Sequence, residues 1–154
     1  MIHSIAMHAA DYDGPNEIFA TAQGNCCVSL YDTKAIGGNI NQDRKIRKKK
    51  EKKVEKAQNI LHPSPCVWTS DVSGQGHTGC VNCAAFLPKQ NGRKLLSGGN
   101  DGKLCTWDWQ SQACPTAMLH HKRKINWVTT ANGVMNIDAI IADVQGKLTG
   151  VNFT

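Results

Sequence analysis

The residues that could take part in catalysis lie in the middle of the sequence. His77 could act as a catalytic base, and Asp101 could be the carboxylate that orients it. No Gly-rich phosphate loop, nucleophile elbow or carboxylate pair in a motif context accompanies them. We therefore expect a structural role for both residues. We predict a protein that is not an enzyme, with no catalytic residue, no cofactor and no small-molecule substrate.

Two of the seven cysteines, Cys80 and Cys83, have the spacing of metal ligands, and Cys105 and His77 could complete a tetrahedral set. In a β-strand, however, alternation places Cys80 and Cys83 on opposite faces. We prefer the alternative that they are small buried residues, and we predict no metal site. The cysteine number is odd, and the first residues lack the basic and apolar parts of a signal peptide. This combination indicates unpaired thiols in the nucleus, the cytoplasm or both.

Three segments with a glycine-containing turn recur along the chain, at 21–32, 97–108 and 141–152. The third follows the second by 44 residues and repeats Gly-Lys-Leu, and propeller blades recur every 40–45 residues, roughly. The first two segments are further apart, and the surplus coincides with a highly basic segment. Short apolar runs between turns predict an all-β chain. We expect its strands near 2–7, 17–22, 27–31 and 66–70, near 81–85, 93–98, 103–107 and 113–119, and near 125–129, 137–142 and 147–153.

Three of these strands carry an expectation about burial. Val81, Cys83 and Ala85 alternate with their neighbours, as in a strand that is buried on one face only. Trp68 and Trp127 lie on predicted strands. We expect both indoles in the core rather than on the surface as ligand platforms.

The dipeptide Gly76-His77, followed by the run 95–108 that ends in Trp107-Asp108, resembles the WD-repeat (β-transducin-like) family. The resemblance implies a four-stranded β-propeller blade in which His77, Ser97, Asp101 and Trp107 form a buried hydrogen-bond chain. The flanking units depart from this motif. The Ser, Asp and Trp positions hold Thr21, Asn25 and Tyr31 in the first unit and Ile141, Gln145 and Val151 in the third.

The resemblance extends in islands over nearly the whole chain, to the C-terminal part of one member of the family. It implies a partial propeller of about three four-stranded blades, the last lacking its outer strand. We assign 1–35 to a first partial blade, 36–65 to a helical or disordered insertion and 66–72 to the outer strand of the first blade. The intact blade is 73–120 and the last blade is 121–154. Propellers have roughly 4–8 blades. We therefore expect the chain to be a fragment of a larger propeller.

The function that the resemblance implies is a protein–protein interaction scaffold, with other proteins as partners. One version is a substrate receptor of a cullin-RING ubiquitin ligase. Trp107 and Asp108 are then the candidate contact with the ligase adaptor. The family signature for this contact is Trp-Asp-x-Arg, and this chain has Gln110 at the position of the Arg.

The tract 44–56 holds nine Lys or Arg and two Glu, whereas the whole chain has a net charge of +6. The remainder is therefore close to neutral, which argues against a nucleic-acid surface spread over the fold. No run approaches the ~18 apolar residues of a membrane span, so we expect no membrane partner. The basic tract could serve nuclear import, contact nucleic acid or form a solvated loop. If it contacts nucleic acid, the alternative function of the protein is that of a nuclear nucleic-acid-associated factor. Its candidate residues are Arg44, Lys45, Arg47, Lys48, Lys49, Lys50, Lys52 and Lys53.

Overall fold

The computed structural model of the chain describes residues 1–7, 18–33, 66–70, 75–88, 93–111, 114–131 and 137–153. The regular elements within these ranges form an all-β arrangement of three antiparallel sheets. The first sheet contains β1 (Ile2–Met7), β2 (Ile18–Gln23), β3 (Val28–Asp32) and β4 (Cys66–Thr69). The second contains β5 (Val81–Leu87), β6 (Lys94–Gly99), β7 (Lys103–Asp108) and β8 (Pro115–His120). The third contains β9 (Ile125–Thr130), β10 (Ala139–Asp143) and β11 (Leu148–Val151).

Each sheet is a meander in which strands that follow one another in sequence are hydrogen-bonded neighbours. Each of the eleven predicted strands has a counterpart, with ends that differ by a few residues. The third sheet has three strands among the residues that the structure describes. The predicted insertion at 36–65 lies outside the described ranges.

The middle sheet is covered on both faces. One core cluster joins its Leu95 and Trp107 to Ala20 and Leu30 of the first sheet. A second cluster joins its Leu96 to residues of the third sheet, including Ile125, Ile141 and Val151. Neither face of β6 and β7 meets solvent, so these strands can be apolar on both faces. Both strands are buried almost throughout.

The prediction that β5 is buried on one face only is wrong. Val81 belongs to the cluster on the first-sheet side and Cys83 to the cluster on the third-sheet side. The register between β5 and β6 shifts between these two residues, as in a β-bulge. The bulge frees Asn82, whose side-chain amide donates to the Ile125 carbonyl of the third sheet at 2.8 Å. A strict period of two does not hold across such an irregularity.

The main contacts between sheets are made by the strands that come first in each. β5 contacts β1 and β2 on one side and β9 on the other, and β6 also contacts β9. The last strand of the middle sheet, β8, is largely exposed. The sheets thus lie closest at their first strands, and the turns between later strands are near the surface.

Candidate functional site

A chain of four buried side chains crosses the middle sheet. Trp107 on β7 donates its Nε1–H to Ser97 Oγ on β6 at 2.7 Å. Ser97 Oγ also lies 2.7 Å from His77 Nε2, and His77 Nδ1 lies 3.1 and 3.2 Å from the two carboxylate oxygens of Asp101. One proton arrangement satisfies all three links: the serine hydroxyl donates to Nε2, and Nδ1–H donates to Asp101. The structure thus brings together the four residues singled out in the sequence.

The order Asp101, His77 and Ser97 is that of a hydrolytic triad, but its surroundings differ from those of a nucleophile. Ser97 is 0% exposed and accepts a hydrogen bond from the Trp107 indole. A serine oxygen without exposed surface is not placed to meet a substrate. The arrangement instead satisfies three buried polar side chains and connects β6 and β7 to the segment before β5.

The pKa values of the two titratable groups of this hydrogen-bond chain are both lowered, for different reasons. Burial lowers the pKa of His77 below its ordinary value, although the Asp101 carboxylate opposes this shift. Burial also acts to raise the pKa of Asp101, but hydrogen bonds from the backbone N–H groups of Lys103 and Thr78 and from His77 outweigh it, so the Asp101 pKa is lowered. A neutral imidazole beside a carboxylate is the state that this geometry favours.

The candidate adaptor contact lies at the far end of β7. Trp107 is 0% exposed. Asp108 is nearly buried, and its carboxylate accepts hydrogen bonds from Arg93 Nε at 2.9 Å and pairs with Arg93 Nη2 at 2.8 Å. These hydrogen bonds lower the Asp108 pKa. Trp107 therefore presents no surface to a partner, and Asp108 is already engaged by Arg93, the residue that precedes β6.

The third sheet contains a second polar network, which the sequence analysis did not foresee. Asp143, at the end of β10, is 2% exposed. Its Oδ1 accepts from the Gln145 and Lys147 N–H groups at 2.8 and 3.0 Å, and its Oδ2 lies 3.3 Å from His121 Nε2 and 3.4 Å from Arg123 Nη1. Burial opposes ionisation of Asp143, but these hydrogen bonds prevail and lower its pKa to about 2. The missed signal is an aspartate directly before a turn, a position where side chains bond the N–H groups of the turn.

The first sheet has a weaker polar contact at the corresponding place. The Gln23 side-chain amide donates to Thr21 Oγ1 at 3.0 Å and lies 3.4 Å from the Tyr31 hydroxyl. Thr21 is buried, whereas Asn25 is exposed in the turn. The first sheet therefore links its second and third strands through Gln23 rather than through a histidine.

The cysteines proposed as alternative metal ligands are dispersed. Cys83 and Cys105 belong to core clusters on opposite faces of the middle sheet, and burial raises the pKa of each thiol to about 12. Cys80 Sγ lies 3.2 Å from the Gly24 carbonyl oxygen. Within the residues that the structure describes, no three His, Cys, Asp or Glu side chains are grouped as metal ligands are.

The two tryptophans expected in the core differ. Trp68 on β4 packs edge-to-face on Trp107, with ring centroids 5.9 Å apart. Trp127 on β9 is 58% exposed, so the prediction that it lies in the core is wrong. Its neighbours Ile125 and Val128 face the middle sheet, and the Trp127 side chain faces away from it. The register between β9 and β10 shifts at this point, so Ile125 and Trp127 lie on different faces although they are two residues apart, and a strict period of two does not hold.

The basic tract 44–56, with its proposed roles in import or nucleic-acid contact, lies outside the described residues and stays a prediction. No protein-family model matches the chain. In the ranges that the structure describes, no helix has the length and apolar character needed to cross a lipid bilayer.

Proposed function

We propose that the three sheets are successive blades of a WD-type β-propeller and that the chain serves as a scaffold for binding other proteins. The observation that carries the proposal is the buried chain from Asp101 through His77 and Ser97 to Trp107. It requires four residue types at set positions on two strands, a turn and a preceding loop. Such a chain is the feature that the family resemblance implies.

The placement of the sheets supports the propeller hypothesis. Each is a meander, and the sheets meet at β1, β5 and β9, the first strand of each. Propeller blades are arranged around an axis with their first strands innermost. The middle sheet packs on a neighbour through each face, as a blade inside a propeller would.

A residue correspondence between the second and third sheets also supports it. At the spacing of 44 residues, His77 corresponds to His121 and Gly102 to Gly146. Both histidines precede the first strand of their sheet and lie near an aspartate. Both glycines have a positive φ, 73° and 77°. The same left-handed position at the same place in two turns is expected of two copies of one unit.

The aspartates do not correspond directly, but the geometry explains how both reach the histidine. Asp143 corresponds to Gly99, two residues before Asp101. A Cβ atom added at Gly99 would lie 2.8 Å from His77 Nδ1 and 2.9 Å from the Asp101 carboxylate. A side chain at position 99 would therefore point toward the same place as the side chain of Asp101 in the following turn. We infer that the third unit supplies its carboxylate from the earlier of the two positions.

The scaffold role follows from this architecture. The buried chain and the two core clusters hold the sheets rigidly, and the turns that connect the strands lie at the surface. Surface loops on a rigid framework are the usual place for recognition of other proteins.

The scaffold proposal is tested by capturing partners on the tagged, nuclease-treated full chain and then rebuilding one complex from purified components. We expect saturable binding with a fixed stoichiometry in titration calorimetry. Binding should be lost when Trp107→Ala disrupts the middle sheet and retained when Lys48→Gln/Lys49→Gln weakens the basic tract. Capture that depends on the tract alone, or no purified protein that binds, would contradict the proposal.

The ubiquitin-ligase version remains a further prediction. Trp107 is buried, Asp108 is paired with Arg93 and Gln110 replaces the signature arginine. Direct binding of a purified cullin-RING adaptor checks it, with a WD-repeat receptor that carries Trp-Asp-x-Arg as positive control. No binding to this chain, with binding to the control, removes the ligase role and leaves the scaffold proposal in place.

A further inference from the structure

A basic groove lies between the second and third sheets. Its floor is the connection from β8 to β9, with Lys122, Arg123 and Lys124. The turn at 100–102 of the middle sheet forms one wall, and Val144 and Gln145 of the third sheet form the other. The groove is open to solvent and has a volume of about 430 Å³.

The backbone of the groove floor is fixed at both ends. The His121 N–H donates to the Gly102 carbonyl at 2.7 Å, and the Val144 N–H donates to the Lys124 carbonyl at 3.0 Å. A Cβ atom added at Gly102 would come within 2.5 Å of the His121 carbonyl oxygen, so the wall and the floor are in close contact. The three cationic residues thus project from a backbone that is hydrogen-bonded to both neighbouring turns.

The side chains that line the groove carry three positive charges, on Lys122, Arg123 and Lys124, against the one negative charge of Asp101. Lys122 and Lys124 are exposed, and no carboxylate of the described residues lies within salt-bridge distance of either. Arg123 shares the Asp143 carboxylate at 3.4 Å. The Asp101 carboxylate is engaged by His77 and by the N–H groups of Thr78 and Lys103.

We propose that this groove binds an extended acidic segment of a partner protein, whose carboxylates pair with Lys122 and Lys124. The proposal rests on the scaffold function and names the chemistry of one of its partners. Asn100 and Gln145 provide amides for the peptide backbone, and Val144, 53% exposed, provides an apolar contact. The lining residues include no aromatic ring on which a nucleobase could stack, which favours a peptide over a single-stranded nucleic acid.

The test is fluorescence anisotropy of a labelled peptide that alternates glutamate with serine and leucine, titrated with the purified full chain at physiological salt. A peptide with glutamine at every glutamate position is the matched probe. Lys122→Gln/Lys124→Gln should raise the Kd about three- to tenfold, whereas the control Lys48→Gln/Lys49→Gln should change it less than about twofold. Both variants remove the same net charge, and circular dichroism verifies that each retains its strands.

Four outcomes would overturn the inference. The glutamine peptide could bind as tightly as the glutamate peptide, or the two double variants could weaken binding equally, which indicates bulk charge. A single-stranded oligonucleotide could bind more tightly than the peptide and lose affinity through Lys122→Gln/Lys124→Gln, which assigns the groove to nucleic acid. Captured protein partners that persist while the acidic peptide fails to bind would remove this site and leave the scaffold function intact.

Discussion

The second and third sheets each hold an aspartate carboxylate against the turn between two of their strands, but the two carboxylates have different partners. Asp101 accepts hydrogen bonds from the N–H groups of Thr78 and Lys103 and from His77. Asp143 accepts from the N–H groups of Gln145 and Lys147 and lies near His121 and Arg123. In both sheets, therefore, an acidic side chain satisfies turn N–H groups and contacts a histidine from the preceding connection.

The sheets differ in what lies beyond the histidine. In the middle sheet the chain continues through Ser97 to the Trp107 indole. In the third sheet the corresponding positions hold Ile141 and Val151, both buried in the core. A buried indole N–H needs an acceptor, whereas an isoleucine and a valine need none. Each turn needs a carboxylate to accept hydrogen bonds from its N–H groups, whereas only the sheet with a buried tryptophan needs an acceptor for an indole N–H.

Removal of the large core residue should have the largest effect. Trp107→Ala deletes a fully buried indole and should lower the free energy of unfolding by about 3–5 kcal/mol. The matched change in the third sheet, Val151→Ala, should cost about 2 kcal/mol because far less apolar surface is lost. Urea unfolding followed by far-UV circular dichroism measures both. Equal losses would show that the indole stabilises the middle sheet no more than the smaller Val151 side chain stabilises the third.

The turn glycines should give the next largest difference. Gly146→Ala places a side chain at φ 77° with nothing within 4 Å and should cost about 1–2 kcal/mol through backbone strain alone. Gly102→Ala should cost more, because its Cβ would also meet the His121 carbonyl oxygen. The difference between the two unfolding midpoints measures this contact. A Gly102→Ala variant no less stable than Gly146→Ala would contradict the close packing of turn and connection.

Ser97 is the shared hydrogen-bond partner of two buried groups, so its removal should leave both of them unsatisfied. Ser97→Ala leaves His77 Nε2 and Trp107 Nε1 without their partner and should destabilise the fold by about 1–3 kcal/mol. In the double variant with Trp107→Phe the orphaned N–H is absent, so the two losses should be less than additive in a double-mutant cycle. Strict additivity would mean that the link from Ser97 to Trp107 contributes nothing.

The parts of the structure that could be predicted from sequence are those that depend on local pattern. The strands follow from short apolar runs between turns, and the side chains of His77, Ser97, Asp101 and Trp107 form a recognisable set at a recognisable spacing. The Asp143 network was missed because an alignment by turn position puts Gln145 where Asp101 stands. The aspartate that contacts the histidine stands in the turn in the middle sheet and at the end of the preceding strand in the third sheet.

Two further features depend on packing that no strand pattern contains. The bulge at Asn82 turns Val81 and Cys83 to opposite faces, so that β5 is buried on both sides. A register shift between β9 and β10 likewise turns Trp127 away from the face of the buried Ile125, so that Trp127 is exposed. Alternation gives the two sides of a strand, and the neighbours of each side are set by the arrangement of whole sheets.

The two networks should also respond to acid in different ranges, which is the smallest of the expected effects near neutral pH. The His77 pKa is below its ordinary value of 6.5, so the unfolded chain takes up the proton more readily and stability falls as pH drops below about 6.5. For one such group the loss between pH 7 and pH 6 is at most about 0.7 kcal/mol.

Asp143 behaves differently because its pKa is lowered from 3.8 to about 2. Its stabilisation is fully present above pH 3.8 and is lost only between there and about pH 2. Unfolding midpoints measured from pH 7 to pH 5 should therefore decline less steeply in His77→Gln than in the unaltered chain. In Asp143→Asn the decline over the same range should be as steep as in the unaltered chain. A slope unchanged by His77→Gln would show that the imidazole of the middle sheet does not govern this range.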